Sequence, residues 1–92
     1  MIKSFKHKVL EKFFYDGVKK GIQAKHAQKL GDILDMLDAA ASVADMNFPG
    51  ARLHPWEPRG ADLWSVDVSG QWRVVFRFKN GNALDVDYVQ PH

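Results

Sequence analysis

Cysteine is absent from the 92 residues, which excludes disulfide bonds and thiolate chemistry. The sequence has no apolar run long enough to span a membrane, and its basic first eight residues lack the apolar stretch of a signal peptide. No internal repeat, low-complexity run or Gly/Ser linker divides the chain. We therefore expect a single domain over residues 1–92, located in the cytoplasm.

Charge is nearly balanced, since 13 Lys and Arg stand against 11 Asp and Glu for a net charge of +2. A small net charge can conceal a strongly polarised surface, so the placement of charges carries more information than their total. The apolar content of 46% is enough for one hydrophobic core and too little for two. The function must therefore be sought in the arrangement of particular residues.

The first half of the chain has helical periodicity. Apolar residues at helical spacing predict a first helix over Lys8 to Tyr15, with Gly17 at the position of a left-handed C-terminal cap. A second amphipathic stripe predicts a longer helix from about Gln23 to Ala40. Ser42 followed by Asp45 resembles a short capping motif.

The second half alternates with a period of two, which is typical of β-strands. Residues 51–56 favour a short edge strand, because Pro55 lacks the amide hydrogen that a central strand needs. Residues 57–62 follow as a loop. Three alternating strands come next, with apolar positions at Trp64, Val66 and Val68, at Trp72, Val74, Phe76 and Phe78, and at Leu84, Val86 and Tyr88.

The turns between these strands fix which residues face each other. A two-residue turn at Asn80-Gly81 would set Phe76 opposite Asp85, so we predict a three-residue loop over residues 80–82. The same argument predicts a three-residue loop over residues 69–71. The aligned pairs are then Phe78 with Leu84, Phe76 with Val86, Val74 with Tyr88, and Val68 with Trp72.

Helices followed by an antiparallel meander indicate an α+β domain with both N-terminal helices on the apolar face of a small, mainly antiparallel sheet. The opposite face is polar, and on it Arg73 lies opposite Asp67 and Arg77 lies opposite Asp85. Cross-strand ion pairs on a solvated face explain both arginines, and for Arg77 this interpretation is preferred. Contact with an anionic ligand is the alternative.

Histidine supplies the most versatile chemistry in this sequence. The four histidines, at positions 7, 26, 54 and 92, lack the spacing of metal ligands, so we expect no metal site. RNA can be cleaved without a metal, because its own 2′-hydroxyl is the nucleophile. Such cleavage needs a base, a cation beside the phosphorane, and an acid for the departing 5′-oxygen. Imidazole and guanidinium groups suit these roles.

His54 has the most suggestive neighbours. It shares strand parity with Arg52 and Trp56, which would bring an imidazole, a guanidinium and an indole together. Trp56 could stack on a base or cover the core. A lone histidine is more often a surface or half-buried residue, which is the interpretation for His7 and His26. The terminal His92 would, by position alone, be a frayed end.

Several segments together resemble the HigB toxin family of the RelE-like superfamily in both order and spacing. The similarity spans nearly the whole chain, and the opening motif, the Trp-Ser-Val and Trp-Arg pair and the terminal His are specific in combination. The segments are Ile2-Lys3-Ser4-Phe5-Lys6-His7-Lys8, Leu53-His54-Pro55, Trp64-Ser65-Val66-Asp67-Val68, Trp72-Arg73-Val74 and Val86-Asp87-Tyr88.

This resemblance implies a RelE-like fold and a cytoplasmic toxin of a type II toxin-antitoxin system that cleaves messenger RNA in the ribosomal A site. It implies a HigA-like helix-turn-helix antitoxin as partner, operator DNA only indirectly through that antitoxin, and neither a cofactor nor a membrane partner. By motif, His54 matches the catalytic His, Arg73 the Arg that stabilises the transition state, and His92 the C-terminal His of the active site.

The chain departs from the family pattern at two places. Trp56-Glu57-Pro58 replaces the usual Leu-Lys-Gly, so an acid stands where the family has a phosphate-binding cation. Gln90-Pro91-His92 replaces the usual Asp-Tyr-His, which removes a carboxylate and a phenol. Arg59 is a candidate substitute for the missing Lys, and Tyr88 or Trp56 for the missing Tyr.

The leading hypothesis is a ribosome-dependent, metal-independent endoribonuclease, in which His54 and His92 divide the acid and base work and Arg73 braces the phosphorane. Further RNA contacts are expected from Arg52, Trp56, Arg59, Arg77 and Tyr88. A catalytically impaired homologue that binds its antitoxin and helps to regulate its own operon is the second hypothesis. A basic adaptor that binds structured RNA without cutting it is the third.

Overall fold

A computed structural model describes residues 1–56 and 63–90 of the chain. Two helices and a four-stranded antiparallel sheet form an α+β fold, as predicted. Two short 3-10 turns precede and follow the second helix. The elements are α1 (Lys8–Asp16), a 3-10 turn (Ala24–His26), α2 (Ala27–Ala39), a 3-10 turn (Val43–Met46), β1 (His54–Pro55), β2 (Leu63–Ser69), β3 (Trp72–Lys79) and β4 (Asn82–Val89).

Helix α1 is closed at both ends by local hydrogen bonds. His7 is its N-cap, and Nδ1 of the imidazole accepts a hydrogen bond from the amide of Leu10 at 3.1 Å. Gly17 caps the other end in the left-handed conformation, with φ of 71°, and its amide donates to the carbonyl of Phe13. The predicted cap at Gly17 is therefore confirmed, and His7 has a structural role.

Helix α2 supplies one side of the hydrophobic core. The four apolar side chains of its inner stripe are fully buried, as the helical periodicity predicted. The capping motif after the helix is also confirmed, because the Asp45 carboxylate accepts from the amide of Ser42 at 3.2 Å and both halves of the capping box form. Within the described residues, no helix has the length and apolar content to cross a membrane.

The sheet has the order β1-β2-β3-β4, and every neighbouring pair is antiparallel. One face packs against the helices around a core of large apolar side chains. The other face, called the outer face below, carries the polar residues. The core-facing positions are Trp64, Val66, Val68, Trp72, Val74, Phe76, Phe78, Ala83, Val86 and Tyr88.

The predicted loop between β3 and β4 was wrong. Lys79 pairs with Asn82, so the turn contains only Asn80 and Gly81, both with positive φ. A β-bulge at Asp85 in β4 then adds one residue, which restores the pairing of Val74 with Tyr88 that the alternation had predicted. With a two-residue turn and no bulge, the polar Asp85 would lie opposite the apolar Phe76. Because the bulge shifts the register by one residue, this mismatch does not arise.

The predicted three-residue loop between β2 and β3 was also wrong, because a bulge again accompanies a shorter turn. Ser69 pairs with Trp72 across a two-residue turn, and a register shift between Asp67 and Ser69 follows. Arg73 nevertheless lies opposite Asp67, as predicted. Each hairpin therefore combines a shorter turn with a compensating bulge.

The N-terminal segment runs beside β4 and covers the edge of the sheet. Ile2 forms a parallel bridge with Ala83, and Phe5 forms another with Val86. The amide of Ile2 also donates to the Asp38 carboxylate at 2.8 Å. The first residues thus join the sheet to the end of α2, an arrangement that the sequence pattern did not indicate.

Candidate active site on the outer face of the sheet

Three neighbouring rows across the outer face contain five of the predicted site residues, Arg52, His54, Trp56, Arg73 and Arg77. The middle row follows the register of all four strands and consists of His54, Ser65, Val75 and Asp87. Neighbouring strands are spaced about 4.8 Å apart, so the four side chains form a continuous line across the sheet. His54 stands at one end of this line, on the short edge strand β1.

The second row contains the cation expected to stabilise a transition state. Asp67 pairs with Arg73, and Arg73 pairs with Val89. Arg52, which precedes β1, joins this row because its guanidinium lies 3.6 Å from the Asp67 carboxylate. Since successive residues on one face are two positions apart, the row is adjacent to that of His54.

The third row lies on the other side of His54. The amide of Trp56 donates to the carbonyl of Leu63 at 3.1 Å, and Leu63 pairs with Arg77 in β3. Arg77 faces Leu84 in the register, and not Asp85 as predicted, yet its Nε lies 3.6 Å from the Asp85 carboxylate. The predicted ion pair forms because the bulge brings Asp85 to the outer face.

Hydrogen bonds fix the orientation of the His54 imidazole. Its Nδ1 lies 2.5 Å from the carbonyl oxygen of Arg52, and its Nε2 lies 3.3 Å from Oγ of Ser65. A carbonyl oxygen can only accept, so Nδ1 carries the proton and Nε2 has the free electron pair in the neutral ring. Ser65 is fully buried, which keeps its hydroxyl beneath the imidazole.

Two arginines share one carboxylate in the second row. Nη1 of Arg73 donates to Oδ1 of Asp67, while Nη1 of Arg52 approaches Oδ2. The side chains of Arg73 and Asp67 are 18% and 13% exposed, whereas that of Arg52 is 74% exposed. The group as a whole carries one net positive charge, and Arg73 is aimed along the outer face instead of into the core.

A half-open cavity of about 420 Å³ lies on the outer face beside these rows, called the outer cavity below. It has an apolar floor, an aromatic wall and charged groups of both signs. Its lining residues are Lys6, Trp56, Leu63, Val75, Arg77, Asp85, Asp87 and Val89. The cavity therefore extends from the third row across the middle row to Val89 of the second row.

Tyr88 does not lie on this surface, so the prediction that it contacts RNA was wrong. The side chain is 4% exposed and faces the core, where its ring stacks on Trp72 with centroids 4.6 Å apart. Its hydroxyl lies 2.6 Å from Nδ1 of His26. His26 is itself only 1% exposed, so its interpretation as a surface or half-buried residue was also wrong.

Burial changes the acid-base properties of both residues. Desolvation lowers the pKa of His26 below its ordinary value, and the nearby charges of Lys25 and Lys29 lower it further. Desolvation raises the pKa of Tyr88, against a smaller lowering effect of a hydrogen bond from the backbone of Gln23. These two residues therefore belong to the core and not to the chemistry of the outer face.

Some of the predicted site residues lie outside the described residues. These are His92 and Arg59, together with the family departures at Glu57, Pro58 and Pro91. Among the residues that are described, the structure brings together His54, Arg73, Arg52, Trp56 and Arg77 on one face. Sequence reasoning missed the hydrogen bond from Ser65 to His54 and the contribution of Lys6 to the outer cavity.

Comparison with known proteins identifies the family. A family model described as the RelE-like toxin of the type II toxin-antitoxin system HigB matches residues 3–92. The chain belongs to the HigB toxin family. The fold and the family expected from the sequence motifs are therefore confirmed.

Two relatives named HigB and one uncharacterized protein resemble this chain over most or all of its length. It is 37% identical over 92 residues to Endoribonuclease HigB of Proteus vulgaris, with all of both chains covered. It is 33% identical over 94 residues to Toxin HigB-1 of Vibrio cholerae serotype O1, covering all of this chain and 98% of the relative. An uncharacterized protein of Haemophilus influenzae is 28% identical over 90 residues, covering 96% and 88% of the two chains.

Proposed function

We propose that this HigB-family protein is a ribosome-dependent, metal-independent endoribonuclease that cuts messenger RNA and thereby inhibits translation. The similarity to a relative named as an endoribonuclease supports the reaction type. The observation that carries the proposal is the position of His54 and Arg73 in adjacent rows of the outer face. A phosphodiester lying across these rows would contact an imidazole and a guanidinium at once.

The geometry of His54 supports a role in proton transfer through Nε2. The carbonyl of Arg52 holds the proton on Nδ1 and orients the ring, as the partner of a catalytic imidazole does in other enzymes. Nε2 can then exchange a proton with the RNA, after displacing the weak contact to Ser65. We propose that His54 and His92 divide the transfer of protons from the 2′-hydroxyl and to the 5′-oxygen.

Arg73 would stabilise the charge that grows on the phosphorane. A guanidinium remains charged at every physiological pH and can donate two parallel hydrogen bonds to phosphate oxygens. Its ion pair with Asp67 holds the guanidinium near the protein surface before RNA binds. Attack by the 2′-oxygen would release the 5′-oxygen and leave a 2′,3′-cyclic phosphate, so that no metal or cofactor is required.

The proposed partners follow from the family and the charge of the site. We propose that a HigA-like helix-turn-helix antitoxin neutralises the protein, that operator DNA is contacted only through this antitoxin, and that the ribosome presents the message. Arg52, Arg77 and Arg59 would contact phosphates, and Trp56 would stack on a base. Among the described residues, Arg52, Trp56 and Arg77 lie on or beside the face that carries His54.

Mapping of new 5′ ends tests the proposal directly. The chain is produced without antitoxin, and the ends are mapped on translated and on untranslated copies of the same message. We expect cuts within the reading frame that require ribosomes. His54→Ala should reduce their rate by about a hundredfold or more, as loss of a general acid or base does. Arg73→Ala should reduce it by a similar factor through loss of charge stabilisation.

A second imidazole provides the control for these variants. In His7→Ser the serine can still cap α1, so the chain loses an imidazole without losing the cap. This variant should cut at the rate of the parent protein. Intact messages with the parent protein, or equal cutting by the His54→Ala variant, would contradict the proposal.

A catalytically impaired protein that binds its antitoxin is the second candidate, and the Asp67 carboxylate favours it. Asp67 partly neutralises Arg73 and would compete with a phosphate for the same guanidinium. In that case Asp67→Asn would accelerate cutting, because it releases the guanidinium. A parent protein that leaves messages intact yet forms a stable complex with a helix-turn-helix antitoxin would support this candidate.

A further inference from the structure

The outer cavity has the size and chemistry of a site for a small planar ligand. Ligand pockets in proteins have volumes of about 300–1,000 Å³ and combine apolar walls with a few polar groups. The outer cavity, at about 420 Å³, lies at the lower end of this range. It can therefore hold one ring system with its attached sugar, and not an extended segment of polypeptide.

The apolar walls of the cavity fit the faces of an aromatic ring. Leu63, Val75 and Val89 contribute aliphatic side chains from three neighbouring strands. Val75 is only 6% exposed although it lies on the outer face, so the floor is already largely shielded from water. Trp56 adds an indole, and the backbone amide of Trp56 donates a hydrogen bond to the carbonyl of Leu63 at 3.1 Å. An indole beside an apolar floor is a stacking site for a nucleobase.

The cavity contains both acceptors and donors of hydrogen bonds. Oδ1 of Asp87 accepts a hydrogen bond from the amide of Tyr88 at 2.9 Å, which fixes the carboxylate at the end of the middle row. An ionised carboxylate can accept several hydrogen bonds and donates none. Arg77 and Lys6 contribute donors to the same cavity, and the second carboxylate of its lining, Asp85, is paired with Arg77 at 3.6 Å. The ligand should therefore present donors on one edge and acceptors on another.

Guanine matches this arrangement best among the four RNA bases. Its Watson–Crick edge has two adjacent donors, N1–H and the exocyclic amino group, which one carboxylate can bind together. Its other edge has the acceptors O6 and N7, which are the usual partners of Arg and Lys. Adenine and cytosine offer an amino group beside an unprotonated ring nitrogen, which a carboxylate repels. Uracil has one imide donor between two carbonyl acceptors.

We propose that the outer cavity binds a guanine base of the messenger RNA and that Asp87 determines this preference. The inference rests on the proposed nuclease function and adds the sequence preference of the cut. Asp87 and His54 lie at opposite ends of one row of the sheet. A base held in the cavity therefore belongs to a nucleotide close to the phosphodiester that reaches His54, and its identity determines where the message is cut.

Binding of short RNAs that resist cleavage tests the cavity separately from the chemistry. The probes are 2′-O-methyl trinucleotides with G, A, C or U at the centre and uridine on both sides. Amide chemical shifts of the full-length protein report both the affinity and the binding site. We expect the shifts at Leu63, Val75 and Val89 to respond, and the G probe to bind about tenfold more tightly than the A probe, as a charged hydrogen bond allows.

Two variants assign the preference to particular residues. Asp87→Asn replaces an acceptor-only group by one that also donates, so it should abolish the tenfold preference for G. Trp56→Ala should weaken all four probes by a similar factor, since stacking does not depend on base identity. Asp35→Asn, on the exposed side of α2, is the matched control and should leave all affinities unchanged.

Each result then supports or overturns the proposal. Equal affinities for the G and A probes, no binding at millimolar concentration, or shifts confined to another surface would overturn it. Guanosine monophosphate that binds as tightly as the G trinucleotide would overturn the assignment to messenger RNA and indicate a free nucleotide.

The nuclease function is judged separately, from the mapped 5′ ends. Cuts with no guanine preference, unchanged by Asp87→Asn, would overturn the cavity proposal and leave the nuclease intact. Selective binding of the G probe by a protein that does not cut messages would support the cavity and contradict the nuclease.

Discussion

The imidazole of His26 and the hydroxyl of Tyr88 meet in the hydrophobic core, 2.6 Å apart, and join the start of α2 to β4. The residues are 62 positions apart in the sequence. Trp72 stacks on the Tyr88 ring from β3, so this hydrogen bond lies within an aromatic cluster. The pair links the helical layer to the sheet that carries the outer face.

Removal of the Tyr88 hydroxyl should therefore destabilise the fold without changing the chemistry. We expect Tyr88→Phe to lower the free energy of unfolding by about 1–3 kcal/mol, because Nδ1 of His26 loses its partner in the core. Urea unfolding measures this change. Tyr15→Phe is the matched control, since Tyr15 is 59% exposed and its loss of a hydroxyl should have little effect.

The same variant tests the placement of Tyr88. At temperatures where it is folded, Tyr88→Phe should retain the cutting activity of the parent protein. A large loss of activity with unchanged stability would show that the hydroxyl takes part in RNA binding, contrary to its burial in the core.

Acid should weaken the fold through His26. Because burial lowers its pKa in the folded protein, the unfolded chain binds more protons once the pH falls below about 6.5, the ordinary value for His. The free energy of unfolding should then decrease with falling pH, by up to about 1.4 kcal/mol per pH unit for one proton. The decrease ends at the lowered pKa of the folded state, where both states are protonated.

Unfolding experiments between pH 5 and 8 measure this slope. NMR titration of the His26 ring provides a second measurement that does not depend on a variant. A ring that titrates at or above its ordinary pKa would contradict the prediction. At alkaline pH the raised pKa of Tyr88 has the opposite effect on stability. The unfolded chain loses its phenolic proton first, so the free energy of unfolding should decrease as the pH rises above about 10.

Asp67 should act as a positioning residue for Arg73. Asp67→Asn removes the charge that holds two guanidinium groups in the second row, so we expect the free energy of unfolding to decrease by about 1–3 kcal/mol. We also expect kcat to fall about tenfold, since small displacements of a catalytic group are costly. Urea unfolding and single-turnover cutting on ribosomes measure the two effects.

Asp35→Asn serves as the control for this variant, because it removes one exposed carboxylate from α2. It should change neither stability nor rate. Faster cutting by the Asp67→Asn variant would contradict the positioning role and favour the impaired homologue.

The turn between β3 and β4 should depend on the backbone conformation of Asn80. Its φ of 53° lies in the left-handed region, which Asn tolerates better than most residues with a side chain. Asn80→Ala should lower the free energy of unfolding by about 1 kcal/mol. Asn80→Gly should be nearly neutral, and equal losses for the two variants would assign the effect to the lost side chain instead.

Sequence periodicity predicted the two helices, the antiparallel order and the face of each strand, because alternating and helical patterns directly reflect burial. Shared parity predicted that Arg52, His54 and Trp56 lie together, but the strand contains only His54 and Pro55, and Arg52, with φ of 50°, reaches the outer face through Asp67. The turn lengths could not be predicted, because a bulge adds a residue without any marker in the amino-acid pattern. Here Asp85 adopts positive φ where glycine is usual, so no glycine indicated the irregularity.

Contacts between residues that are distant in the sequence could not be predicted from periodicity. The alternation placed Tyr88 correctly on the apolar face of its strand, yet its proximity to the C-terminus suggested a contact with RNA. The burial of His26 depends on this tyrosine, and nothing near His26 in the chain indicates such a partner. The hydrogen bond from Ser65 to His54 likewise depends on the register between β1 and β2.

The bulge at Asp85 adds one residue to β4 that the pairing with β3 does not require. Ala83 faces the core before the bulge, and Val86 and Tyr88 face it afterwards, so the inward positions change from odd to even numbers at Asp85. A chain that lacked Asp85 would alternate without interruption and could still align Val86 with Phe76. We therefore expect that β4 can gain or lose a residue here while the core is preserved, and that only the shape of the outer face would change.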